Sequence, residues 1–520
     1  MKQLTQFAAC ALAALSVVAC SSEDSAQQDN AKQNTTKSVA TFDGSQPGND
    51  TRALTRTTAT YTLGGDAKVF WSSADKIFVQ DDANTFHQSG AANLYNPSNK
   101  AKATFSLASG SFTLNNREVR YTGENGTDAN TVTIASTQTQ TTANDFSHLG
   151  TSGDCGTATA TGSNGNYTFT LNHKASYLCF VPRCMNTDLG PNIKLTKIKV
   201  TANQPIAGKY DFSTGSLTQK AGETYSNTVT LNTSDFSLNT TTSSLATNGA
   251  YMVVAPGTYN FTITYTIKDP TTNVEGDIVK TVSSYNCQEG KINDITAWID
   301  KDIRDYSNRK YYMWDAKKDC WYGYESVQPS VILTTNPNYP KTATDIRWYN
   351  PTAGNATNSS AICHNINELI WYTMKGDPHW DGTSLWSLKG HLHIGGMWLL
   401  KHSAITGFST EKYGTKDYRL ETNGANVRIN NTHVTAGKPA NTTNYFYTPA
   451  TGYYDRTDGT YRGSGDNPLY VQGYVWSSTT SLDQNGSGSY SLAYYMAFGS
   501  GGIYTNFMWK STGFPNSLDD

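Results

Sequence analysis

Tyr259-Asn-Phe-Thr-Ile-Thr-Tyr-Thr-Ile267 decides the fold class. Tyr259, Phe261, Ile263, Tyr265 and Ile267 alternate with Asn260 and three threonines. A strand turns successive side chains to opposite faces, so this stretch is a strand with one apolar face. Pro256-Gly257 marks the turn that starts it. Working outward, Tyr167, Phe169 and Leu171 alternate in the same way. Ile193 and Leu195 alternate too, and the phase then slips before Ile198 and Val200, as a β-bulge would cause. Residues 166–300 therefore read as a β-sandwich-type domain. Toward the N-terminus, Val69-Phe-Trp71, Ala103-Thr-Phe-Ser-Leu107 and Gly110-Ser-Phe-Thr-Leu114 are short strands with turn residues between them. They give a second β domain over 57–165.

The remaining segment, 301–520, is rich in Trp and Tyr. Asn365-x-x-Glu368 has the form of a capping box. Ile366, Leu369, Ile370, Thr373 and Met374 follow at helical spacing, with Gly376 as the stop. Trp371 to Trp380 is expected to run from that helix into a loop, and Gly395-Gly-Met-Trp398 to mark a turn into a strand. Trp476-Ser-Ser-Thr479 precedes Leu492, Tyr494, Met496 and Phe498, which alternate like a strand, and Gly499–Gly502 is the turn after it.

The N-terminus carries an address. Lys2 is a positive n-region, Phe7 to Val18 an uncharged apolar h-region, and Val17-Val-Ala-Cys20 ends it. Residues 1–19 read as a secretory signal. Val17-Val-Ala-Cys20 resembles a bacterial lipobox, which implies that Cys20 is lipidated and becomes the mature N-terminus. Several acyl chains at about 0.8 kcal/mol per buried CH₂ anchor a protein stably. The acidic Ser21-Ser-Glu-Asp-Ser25 is similar to the export tags of Bacteroides-type surface lipoproteins. Residues 20–56 are polar and read as a tether, with a strand-like patch at Lys37–Asp43. Arg52 and Arg56 lie between tether and body, where proteolytic nicking concentrates.

A larger resemblance covers roughly 57–300. Trp71-Ser-Ser-Ala-Asp-Lys-Ile-Phe-Val79 and Leu171-Asn-His-Lys174 with Ala175–Val181 resemble fimbrillin elements. So do Thr196–Val200 with Ile206–Tyr210, Tyr251–Gly257 and Gly290–Thr296. The resemblance implies a pilus subunit with two β-sandwich-type domains, exported as a lipoprotein, cut after an Arg and joined by strand exchange. Arg52 and Arg56 are the candidate cut sites, and the strand around Val39–Phe42 is the candidate removed strand. Trp476–Thr479 and Ala493-Tyr-Tyr-Met-Ala-Phe498 resemble the Fibrobacter major paralogous domain family, which implies a loop-rich α+β, C-type-lectin-like unit over 301–520.

Other chemistry finds little footing. A net charge of −2 with 16% charged residues offers no basic stripe for nucleic acid. No HExxH, nucleophile elbow or phosphate loop is present. His391 and His393 would share a strand face without a third metal ligand in the pattern, so no metal and no cofactor is expected. Cys179–Cys184 and Cys320–Cys363 are geometrically possible disulfides, and unbridged buried thiols are equally compatible. Trp371, Trp380 and Trp386, with Asp377 and Asp381 in a polar loop, are the candidate ligand contacts.

The chain is thus expected to be mainly β, and a non-enzymatic adhesive subunit of a surface pilus, at the tip or a minor position. Its expected partners are other pilus subunits, a host or bacterial surface protein or glycan, and the outer membrane through lipid. A monomeric glycan-binding surface lipoprotein is the first alternative, and an enzyme on a lectin-like fold the second.

Overall fold

The computed structural model describes residues 39–46, 61–65, 70–96, 99–351, 355–463, 471–481 and 491–518. The protein is mainly β. Cys20, Arg52 and Arg56 lie outside the described residues, as does the whole signal segment.

The principal early strands are β1 (Ala40–Ser45), β2 (Asn99–Leu107), β3 (Arg117–Tyr121), β4 (Thr131–Ile134), β5 (Thr137–Gln140), β6 (Gly156–Ser163) and β7 (Asn166–Thr170). β1, β2, β3, β6 and β7 belong to one nine-stranded sheet. Its core gathers Phe42, Trp71, Val79, Phe105, Val119, Tyr167 and Phe169. The strand-like patch in the tether is thus not a free segment, because β1 sits inside this sheet.

β4 and β5 leave that body. β4 pairs with Ala207–Asp211, and β5 pairs in parallel with β10 (Thr228–Ser237). Val132 and Ile134 are buried in a second core with Phe180, Ile198, Ile263 and Tyr265. Residues expected in the first domain therefore divide between two cores.

The second core lies among β8 (Ser176–Arg183), β9 (Lys194–Ala202), β10, β11 (Ala250–Val254), β12 (Gly257–Asp269), β13 (Val274–Cys287) and β14 (Ile292–Trp298). One sheet runs β13-β12-β9-β10-β5 and another β11-β8-β14. β12 contains the stretch that announced the fold, and Phe261, Ile263, Tyr265 and Ile267 are all buried. Thr264 and Thr266 are buried as well, and Thr266 donates its hydroxyl proton to Asp277 (2.7 Å). The predicted bulge is present: β9 shifts register between Leu195 and Lys197 against both neighbours.

One edge of β11 is satisfied by side chains. Gln138 donates to the Val253 carbonyl (2.8 Å) and accepts from the Val253 N–H (2.9 Å). Gln140 does the same for the Gly249 carbonyl (2.9 Å) and the Tyr251 N–H (2.7 Å). An unmade backbone hydrogen bond in a buried strand costs free energy, and two glutamines here replace a missing strand.

The third part contains α1 (Ile366–Lys375), β15 (His379–Leu388), β16 (His391–Leu400), β17 (Tyr445–Pro449), β18 (Gln472–Thr480), β19 (Leu492–Gly499) and β20 (Gly502–Trp509). α1 has the predicted capping box, with Asn365 accepting from Glu368 N and Glu368 accepting from Asn365 N (2.7 Å), and ends at Gly376. The expected loop after α1 is short, since Trp380 and Asp381 already lie in β15. Gly395-Gly396 is the middle of β16 rather than a turn. Gly396 has no room for a Cβ because Tyr447 Cζ would stand 2.5 Å away. β19 is buried at every residue, so both its faces are covered.

The β15–β16 turn docks on the β12–β13 turn. Asp269 is buried and accepts from the Leu392 N–H (3.0 Å), with His391 Nδ1 also 3.0 Å away. Thr272 donates to the Leu392 carbonyl (2.7 Å), and Asn192 to that of Gly390 (2.8 Å). Leu392 itself is buried in the second core.

Candidate functional site

β1 is the element whose surroundings are most specific. It lies between β2, antiparallel, and β7, parallel, so both of its edges are paired. Its alternate residues separate cleanly: Ala40, Phe42, Gly44 and Gln46 point inward and are buried, while Asp43 is exposed. Phe42 stacks on Tyr167 (centroids 4.6 Å apart) and meets Phe112 edge-on (5.6 Å). Gly44 is pressed against aromatic rings, because a Cβ there would lie 2.5 Å from Phe169 Cζ and 3.1 Å from Phe105 Cε2. Trp71 donates its indole N–H to the Gly44 carbonyl (3.2 Å).

Gln46 ends β1 at a buried polar cluster. Its Oε1 is 3.0 Å from His173 Nε2. The other ring nitrogen of His173 is 2.8 Å from Asp154 Oδ1, and Tyr177 donates its phenolic proton to the same carboxylate oxygen. Burial pulls the His173 imidazole down, but the adjacent Asp154 carboxylate outweighs it and holds the ring above its ordinary range. Nearby, Asp75 accepts from Ser72 N (2.6 Å) and Tyr121 OH (2.7 Å). Burial pushes Asp75 up to about 7, against the pull of those two hydrogen bonds.

The next described residue after Gln46 is Tyr61, which is buried in the second core. Tyr61 packs edge-on to Tyr251 and donates to Asp294 Oδ1 (2.6 Å), while Gly64 N donates to Asp294 Oδ2 (2.7 Å). The segment holding Arg52 and Arg56 therefore joins a strand in one core to an anchor on the other.

The five ligand candidates in the third part are not equivalent. Trp386 is buried, stacked on His393 (4.6 Å), and donates to the Gly395 carbonyl (2.9 Å). Asp381 is buried too, and its oxygens take the Thr383 and Ser384 N–H groups, both hydroxyls and the Trp398 indole N–H. Neither reaches the surface, because β15 turns them into the protein. Trp371 and Trp380 are half-buried, and Trp371 donates to the Lys412 carbonyl (2.9 Å). Asp377 is exposed and accepts from Tyr445 OH, with His379 Nε2 3.5 Å away.

Two tyrosines that the sequence did not single out, Tyr445 and Tyr447, stand beside Asp377 with His379 and Trp398. His379, Trp398 and Tyr447 are cross-strand neighbours on β15, β16 and β17, so they share one face, and Tyr445 follows two residues along. Trp398 and Tyr447 rings are 5.3 Å apart, and the Lys438 ammonium lies 5.1 Å over Trp398. The alternation Tyr445-Phe446-Tyr447 was the available signal: Phe446 is buried and the tyrosines are half-buried. His393 is buried and His391 faces Asp269, so their shared face carries packing and docking contacts. All six cysteines among the described residues are free and buried.

No protein-family model matches the chain, and no curated protein matches it. Solved structures do show similarity. A candidate cell adhesion protein from Bacteroides ovatus is 15% identical, with a TM-score of 0.32, covering 50% of this chain and 92% of that one. One from Bacteroides uniformis is 17% identical, with a TM-score of 0.30, covering 50% and 93%. A fimbrial protein from Bacteroides ovatus is 10% identical, with a TM-score of 0.23, covering 92% and 98%.

Proposed function

We propose that this chain is a surface-exported adhesive subunit of a pilus, at the tip or a minor position, whose β1 is exchanged for a strand of a neighbouring subunit. The observation that carries the proposal is the placement of β1. It is paired on both edges in the first sheet, and it is joined to the rest only through the segment with Arg52 and Arg56. A cut there leaves β1 held by non-covalent contacts alone. Its departure would leave the edges of β2 and β7 unpaired and the Phe42 site empty, a costly state that a partner strand relieves by β-augmentation. Tyr61, beyond both arginines, stays anchored to Asp294 whichever is cut. The lipid on Cys20 belongs to export, and the third part supplies the contact surface.

The test is the mature N-terminus of protein recovered from sheared surface material, by intact mass and N-terminal sequencing. A start at Ala53 or Thr57 supports strand exchange. A lipidated Cys20 on all recovered protein overturns it.

A second reading, a monomeric glycan-binding lipoprotein, draws on the His379–Trp398–Tyr447 row. Aromatic faces beside a cation and a carboxylate suit sugar rings. Intact residues 20–56 on mature protein favour that reading.

A further inference from the structure

We infer that the groove holding β1 selects its replacement by four alternate side chains, small, aromatic, glycine and amide, and that His173 reads the fourth. The partner is thus a β-strand of another polypeptide with that pattern, antiparallel to β2 and parallel to β7. The inference rests on the strand-exchange reading and narrows it to a partner chemistry.

Each position has a physical cause. At the first, Ala40 is buried against Gly165, where an added Cβ would already stand 3.9 Å from the Ala40 Cβ. At the second, the space between Tyr167 and Phe112 has the size and the stacking geometry of one aromatic ring. At the third, Phe169, Phe105 and Trp71 pack against one another, so the ring nearest the backbone has little freedom to retreat. Any Cβ would meet Phe169 at 2.5 Å, which restricts the position to glycine.

The fourth position is polar for a different reason. His173 faces Asp154 through Nδ1 and Gln46 through Nε2. The Asp154 carboxylate favours a proton on both nitrogens, so Nε2–H needs an acceptor. A leucine here would leave a buried donor unpaired. A glutamate would add a carboxylate to a buried cluster that already contains Asp154 and Asp75. A lysine or arginine would bring a second cation to the imidazolium. A neutral amide oxygen meets the demand without adding charge, and Gln46 supplies one.

The experiment uses the full chain with a protease site engineered between Gln46 and Tyr61 and cut after folding. A labelled peptide of residues 38–47 is offered to the nicked protein, and its entry is followed by fluorescence anisotropy. Peptides with Phe42→Ala, Gly44→Val, Gln46→Leu or Gln46→Glu are compared with it. Expected losses are about tenfold or more for each, the scale of one lost buried hydrogen bond or a forced overlap. His173→Leu protein should bind the Gln46→Leu and unchanged peptides within about twofold of each other, because the reader is gone. If the unchanged peptide never enters, the strand-exchange reading itself falls. If it enters and Gly44→Val and Gln46→Leu peptides bind as well as it does, the selection rule falls while strand exchange stands. If the Gln46→Leu penalty persists in His173→Leu protein, His173 is not the reader.

Discussion

Replacing Phe42 by alanine tests whether β1 is a working part of the first core. The ring is fully buried, stacks on Tyr167 at 4.6 Å and touches Phe112 at 5.6 Å. Phe→Ala in a close-packed core costs roughly 3–5 kcal/mol, through lost transfer free energy and the residual cavity. The stacked pair adds about 0.5–1.5 kcal/mol beyond its area. The neighbouring rings of Trp71, Phe105 and Phe169 are packed on one another and cannot collapse far into the gap, which favours the upper half of the range. The sum is about 4.5–6.5 kcal/mol, so at about 2–4 °C per kcal/mol for a body of this size the corresponding transition should fall by roughly 9–26 °C. Differential scanning calorimetry of the uncut chain resolves this, because the second and third parts should melt unchanged. Asp43→Ala on the exposed face of the same strand is the control, expected within about 1 kcal/mol of wild type. A Phe42→Ala shift below about 1 kcal/mol would refute the reasoning, since a strand so cheaply loosened is no structural member of the sheet.

Three further outcomes follow from named contacts. Asp75 is raised to about 7 in the folded state, so its contribution is full below the unfolded carboxyl range and is lost as pH rises toward 7. The contribution is of order 4 kcal/mol, and the difference in stability between wild type and Asp75→Asn should change over pH 4–7 and flatten above it, read by denaturant titration at each pH. Asp269 runs the other way: burial raises it, but His391, Leu392 N–H and Thr271 N–H bring it below its usual range. Its support for docking of the third part is present at neutral pH and is lost as pH falls through the depressed folded value, so limited proteolysis near the β15–β16 turn should accelerate in acid and in Asp269→Ala at pH 7. Trp386→Ala should lower the stability of the third part by about 3–5 kcal/mol in chemical denaturation, whereas Trp398→Ala on the half-exposed row should cost much less.

What was legible in the sequence was what is local. The helix at Ile366–Lys375 was readable because its cap, its apolar spacing and its stop all lie within twelve residues. Tyr259–Ile267 was readable because a strand with one buried face writes its period into composition. The slip before Ile198 was readable for the same reason, since a bulge changes the phase of that period. Long-range features were not. Gly395-Gly396 looks like a turn until Tyr447, from a strand fifty residues on, is seen lying over it. Asp381 read as part of a polar loop and Trp386 as a candidate ligand contact, because nothing local says that β15 starts at His379 and turns both inward. β4 and β5 carry no mark that sends them to the second core. The pairing of Gln46 with His173 spans 127 residues and has no local signature at all.

The location of free strand edges bears on where such a subunit would sit. A subunit inside a shaft must both accept a strand and donate one. On the proposed reading the accepting side is the groove between β2 and β7 that β1 fills. A donor would have to come from a segment not already committed, and the described strands of the third part are committed. β20 pairs with β19 on one side and with Asn430–Asn431 on the other. Phe514, just beyond it, is buried against Trp476 (4.5 Å), Tyr474 (5.0 Å) and Tyr495 (5.2 Å), and Phe514–Pro515 pairs with Tyr311–Tyr312. Withdrawing that segment would empty an aromatic core at a cost of roughly 3–5 kcal/mol for the Phe514 ring alone. On the proposed strand-exchange reading, the asymmetry between β1, held by pairing alone once the chain is cut, and the locked β20 favours a terminal position. Acceptance costs one non-covalent strand after a cut, while donation from this region would cost the fold of the third part.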